Sequence, residues 1–205
     1  MGVSVSEAHS RKNTRMGVAR ALRSTLEMAR IAQQDGRQVQ ASVQSAFGCG
    51  FEGPIPEERV LGMVGAYLEA GLYNISLADT AGHAHPTQVE CLFGAVLALD
   101  PKIEATCHFH NTYGLGMANI MAGMRAGVTS FETSFAGLGG CPFTKSAAGN
   151  VATEDFVNAL QLQGLRGDVD LDTLIGVAGD VAEHFKRDMP GCVYKTGTIQ
   201  KKAAA

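Results

Sequence analysis

The chain has 205 residues, 45% of them hydrophobic and 18% charged, with a net charge of −3. That is the balance of a folded globular domain, and it leaves no footprint for nucleic acid, since neither a basic run nor aromatic-basic interleaving occurs. No apolar stretch reaches the roughly 18 residues of a membrane span, and the segment from Met1 to Ser10 lacks the charged-then-apolar layout of a signal peptide.

Short segments with β-branched or alternating residues predict strands over residues 2–7, 39–47, 73–79, 103–110 and 129–135. The first helix is predicted over 13–35, with Leu22, Leu26 and Ala29 on its apolar stripe and Gly36 as its left-handed cap. The second, over 56–70, opens on Pro56, carries Val60, Val64 and Tyr67 on one face, and stops before Gly71. Residues 86–99 start on a proline and end at Asp100-Pro101, and residues 114–125 are rich in small side chains suited to close packing. Two further helices are predicted over 153–162 and 172–187, with Thr153 and Asp172 as N-caps. The tail over 200–205 reads as frayed.

Alternating strands and helices imply a parallel sheet with helical crossovers, in a single α/β domain over 1–205. An open doubly wound sheet and a (β/α)₈ barrel both fit that pattern. The first strand is not followed by the G-x-G-x-x-G nucleotide fingerprint. Five strands fall short of the eight of a barrel. In both architectures function gathers at the C-terminal ends of the strands. Five widely spaced cysteines without a C-x-x-C fit a reduced, cytoplasmic thiol set.

His108 and His110 stand at i and i+2 near the end of a predicted strand, so both imidazoles face one side. Neutral imidazoles are common ligands of divalent metals, and an H-x-H alone is as readily a pair of half-buried rings satisfied by neighbours. The loop Ala136-Gly137-Leu138-Gly139-Gly140-Cys141-Pro142 follows the last strand and presents one reactive side chain, Cys141, among three glycines. Thr144-Lys145-Ser146 lacks the glycine that a P-loop needs before its lysine. Asn150 either caps the next helix or offers its carbonyl oxygen to a hard cation. Asp79, at a strand end, suits a ligand, a general base or a turn-former.

From Gln40 to about Asp155 the chain resembles the 3-hydroxy-3-methylglutaryl-CoA (HMG-CoA) lyases, members of a wider group of metal-dependent (β/α)₈ lyases and Claisen-type synthases. The likeness rests on Phe47-Gly48-Cys49-Gly50-Phe51-Glu52-Gly53, Ile75-Ser76-Leu77-Ala78-Asp79-Thr80-Ala81-Gly82 and His108-Phe109-His110-Asn111-Thr112-Tyr113-Gly114. It continues through Phe135-Ala136-Gly137-Leu138-Gly139-Gly140-Cys141-Pro142-Phe143 and Ala148-Gly149-Asn150-Val151-Ala152-Thr153-Glu154-Asp155. The Gly-Leu-Gly-Gly-Cys-Pro loop favours the lyase branch over the synthases, and Phe135 and Phe143 stand where Val and Tyr are usual.

The resemblance implies that His108, His110 and Asn150 bind Mg²⁺ or Mn²⁺. It makes Cys141 the acid/base, puts His108 and Asp79 among the catalytic groups, and lines the acyl-CoA pocket with Ser76 and Asp79. The implied reaction is retro-Claisen cleavage of HMG-CoA to acetyl-CoA and acetoacetate, in leucine degradation. The family's first strand carries an Arg-Asp-Gly motif that this sequence does not contain. The fold expected is therefore a partial (β/α)₈ TIM barrel, about strands 4 to 8 with their helices. Without the carboxylate ligand of that motif, weak metal binding and little activity are expected. Two other readings are a related acyl-CoA aldolase or Claisen-type synthase, and a noncatalytic remnant whose barrel a second polypeptide completes. The expected partners are an acyl-CoA substrate and either further copies of the chain or that barrel-completing polypeptide.

Overall fold

A computed structural model describes residues 1–140 and 149–199, so Cys141, Phe143 and the 200–205 tail lie outside the described residues. Two compact units are formed, one by Met1–Glu132 and one by Thr133–Gly139 together with the residues from Gly149 onward. The first holds strands β1 (Gly2–Ser4), β2 (Gln40–Gln44), β3 (Asn74–Asp79), β4 (Glu104–Phe109) and β5 (Ser130–Glu132). Its helices are α1 (Glu7–Thr14), α2 (Val18–Gln34), α3 (Glu57–Glu69), α4 (Pro86–Leu97) and α5 (Gly116–Arg125). The second holds a 3₁₀ turn over Phe135–Gly137, then α6 (Thr153–Leu162), α7 (Leu171–Phe185) and α8 (Val193–Thr196).

The five strands are all parallel and pair in chain order, β1-β2-β3-β4-β5. A doubly wound sheet reverses its strand order at a switch point, and this sheet does not, so the order is that of a β/α barrel arc. The register gives the sheet two unlike faces. Gly2, Ser42, Ser76, Thr106 and Ser130 form one row across it, and Ser4, Gln44, Ala78, His108 and Glu132 form the row two residues further on. Between them, pointing the other way, lie Val3, Val43, Leu77, Cys107 and Phe131. The apolar row is core: Val3, Val43, Leu77 and Cys107 are buried against the helices. Helix α5 comes so close to β4 that a Cβ at Gly123 would sit 2.5 Å from the Cys107 sulfur.

Beneath the strand ends lies an aromatic cluster. Phe109 packs 5.5 Å from Phe47, and Phe47 packs 6.1 Å from Phe93, all three buried. Tyr67 of α3 is fully enclosed and donates its hydroxyl to the Ser42 carbonyl at 3.2 Å.

Several boundaries differ from the sequence expectation, each for a local reason. The strand expected over 2–7 stops at Ser4, because Ser6 caps α1 by accepting the His9 amide at 3.1 Å. The helix expected over 13–35 starts only at Val18, as α2, because an unforeseen α1 runs to Thr14 and Arg15 in the left-handed region (φ 61°) closes it. Small residues Ala21, Thr25 and Ala29 form the buried stripe of α2, with Leu22 and Leu26 half-buried on its shoulder. Thr153 is the first residue of α6 rather than its cap, and its hydroxyl lies 2.9 Å from that of Thr133. Asp170, not Asp172, caps α7, accepting the Thr173 amide at 3.0 Å. Helix α7 ends at Phe185 because Lys186 turns left-handed (φ 49°). Gly36, Gly71 and Gly127 take the positive φ expected of residues beyond a helix end.

Candidate active site

In the first unit the functional end is built by the last residues of β3 and β4 and the turns that follow. His108 is the penultimate residue of β4 and His110 lies just past its end. Their rings are 5.4 Å apart between centroids at 47°, while Phe109 between them points into the aromatic core. His110 is 8% exposed, and burial, with the His108 ring beside it, pushes its pKa down to about 4. It is therefore a neutral imidazole at physiological pH. His108 is half-buried, and its Nδ1 lies 2.7 Å from Glu132 Oε2, on the residue directly across the ladder in β5. That bond holds the Glu132 carboxyl below the usual carboxylate range against the opposing effect of burial.

Asp79 ends β3 and is fully buried. Its Oδ1 accepts the His83 amide at 2.8 Å and its Oδ2 the Ala84 amide at 3.0 Å. Burial raises its pKa to about 6, opposed by the amides of Ala84, His83 and Gly82 and by His108. Of the three roles open to it in the sequence, the geometry displays the turn-former. Ser76, two turns of the pleat below Ala78, is buried, and its hydroxyl meets no partner among the described residues.

The turns interlock where side chains are missing. A Cβ at Gly48 would lie 2.8 Å from the His83 ring, and one at Gly82 would lie 2.6 Å from the Thr112 Cβ. The His83 ring then stacks 5.8 Å from Tyr113. Gly82 also needs its positive φ of 73°. Gly82→Ala therefore meets both a backbone penalty and a clash, and should lower stability by about 2–4 kcal/mol. A thermal melt within a degree or so of wild type would show the turn to be more pliable than this packing implies.

In the second unit Asn150 is fixed by its own amide. Its Nδ2 donates to the Leu138 carbonyl at 3.0 Å, and the same carbonyl accepts a short hydrogen bond from Ser134 Oγ. Its Oδ1 is buried without a partner among the described residues. An amide turned so that its nitrogen is used and its oxygen left over is set to accept from something else. Gly139 makes this possible, because a Cβ there would collide with the Asn150 amide. Glu154 is fully buried, accepts the Ala136 amide at 3.1 Å through Oε2, and is pushed up by burial. It braces the base of the glycine loop, where Ala136 itself adopts φ 54°.

Among the described residues no three His, Cys, Asp or Glu side chains gather into a ready ion site. The two imidazoles of the first unit are of a kind that suits a divalent cation, and so, taken by itself, is the amide oxygen of Asn150 in the second. Sequence reasoning assigned no role to Glu132 or Glu154. The alternation of Ser130 and Glu132 within a strand was the available signal for the first.

The HMGL-like family model matches residues 1–181. A hydroxymethylglutaryl-CoA lyase of Bacillus subtilis is 35% identical over 188 residues, covering 92% of this chain and 63% of the relative. The (R)-citramalyl-CoA lyase of Chloroflexus aurantiacus is 34% identical over 197 residues, covering 96% and 62%. This chain thus spans less than two thirds of either relative. The crystal structure of an HMG-CoA lyase from Acinetobacter baumannii, in complex with coenzyme A and 3-methylmalate, superposes with a TM-score of 0.92 at 38% identity, over 100% of this chain and 67% of that one. With the family model matching most of its length, the chain belongs to the HMGL-like family.

Proposed function

We propose that this chain carries part of the site of a divalent-metal-dependent carbon-carbon lyase that cleaves HMG-CoA to acetyl-CoA and acetoacetate. The observation that carries the reading is the pair of imidazoles at the end of β4, one of them kept neutral by burial, within a chain of this family. In the first unit His108 and His110 are the nitrogen ligands of this reading; in the second, Asn150 has an unpartnered Oδ1 as its oxygen donor. The cation, Mg²⁺ or Mn²⁺, supplies Lewis-acid stabilisation of the substrate's alkoxide. Asp79 acts on the pocket by holding the turn through His83 and Ala84, and Ser76 lines it from β3. Cys141, outside the described residues, donates the proton that converts the departing thioester enolate to acetyl-CoA. The hydroxyl proton leaves to a base, the C–C bond breaks, and the ketone of acetoacetate forms.

A cytoplasmic setting, leucine breakdown and assembly with further copies or a barrel-completing chain belong to the same reading. The described helices are none of them long and apolar enough to cross a membrane. The citramalyl-CoA lyase relative favours one second reading, a lyase for another 3-hydroxyacyl-CoA. The test is long incubation with Mn²⁺ and a panel of 3-hydroxyacyl-CoA thioesters, followed by mass spectrometry. Acetyl-CoA released from HMG-CoA is the expected result, and release from citramalyl-CoA alone moves the substrate. No release from any thioester, by the chain alone or with added copies, overturns the activity.

A further inference from the structure

We propose that Glu132 is a positioning residue for His108, holding its imidazole in the tautomer that carries the proton on Nδ1 and leaves the lone pair on Nε2. The two residues stand opposite each other across the β4–β5 ladder, and their side chains meet at 2.7 Å. An ionised carboxylate only accepts, so the nitrogen facing it must carry a hydrogen. The other nitrogen is then a free lone pair, held in a fixed direction by the bond behind it. The alternative is an exposed ion pair of no consequence. The ladder position argues otherwise: backbone pairing sets the separation of the two residues, so the contact does not depend on two long side chains finding each other.

This inference rests on the reading of His108 as a metal ligand only for its use, not for its existence. The tautomer is read in metal-free protein by long-range ¹⁵N–¹H correlation of the His108 ring, at a pH above the imidazole range. Mn²⁺ binding is read separately, from paramagnetic broadening of the same signals. The expected wild-type spectrum shows Nδ1 protonated. Glu132→Gln keeps the shape but offers either an oxygen or an NH₂, so both tautomers should appear, and Mn²⁺ affinity should fall about 10–100-fold. Glu132→Asp should restore the tautomer in part. A wild-type ring protonated on Nε2, or a spectrum unchanged in Glu132→Gln, overturns the proposal. A ring locked in wild type and released in Glu132→Gln, with no Mn²⁺ response in either, supports the lock and removes the metal reading instead.

Discussion

Phe109→Ala should lower the stability of the first unit by about 3–5 kcal/mol, seen as a fall in melting temperature of roughly 6–20 °C. The ring is 1% exposed and lies 5.5 Å from Phe47, which links it to Phe93. Its removal leaves a cavity bounded by rings that cannot collapse freely, because β4 is paired on both edges. The residue also sits between the two histidines, so the variant should show broadened, heterogeneous signals from both imidazoles even below its melting point. A melting temperature within about 2 °C of wild type would mean that the aromatic cluster is not what anchors the end of β4.

The second large effect is on metal binding. His110→Ala should weaken Mn²⁺ binding by more than about 10²-fold, beyond what loss of an outer partner brings. The sign follows from burial. A ring whose pKa is pushed down to about 4 is unprotonated at neutral pH, so no proton competes with the cation there. Titration with Mn²⁺ while following the His108 ring gives the comparison within one molecule. An unaltered response of the His108 ring in His110→Ala would remove His110 from the ligand set.

Much of this architecture was legible in the residues. Alternation placed all five strands, and the positive-φ glycines marked the ends of α2 and α3. What the sequence left open between two α/β architectures depended on strand order, which no single segment encodes. The pairing of His108 with Glu132 was hidden for the same reason: it is a register between strands that are distant in sequence. Helix α1 was missed because Ser6 followed a β-like run, and its cap reads equally as another strand residue. Asn150 was visible as a donor, but the orientation of its amide was not, since that is set by Leu138 and by the space beside Gly139. The thiol of Cys141, the most reactive group named from the sequence, remains a proposal carried by the loop's resemblance.

The meshing of the turns after β2, β3 and β4 has a consequence for variation. Gly48 admits His83, Gly82 admits Thr112, and His83 leans on Tyr113. Three stretches far apart in the gene are thus mechanically one part. A library that randomises any one of them should return mostly damaged proteins. One that changes the three in concert should recover folded proteins more often, so tolerated changes in these turns would be inherited as sets rather than one residue at a time.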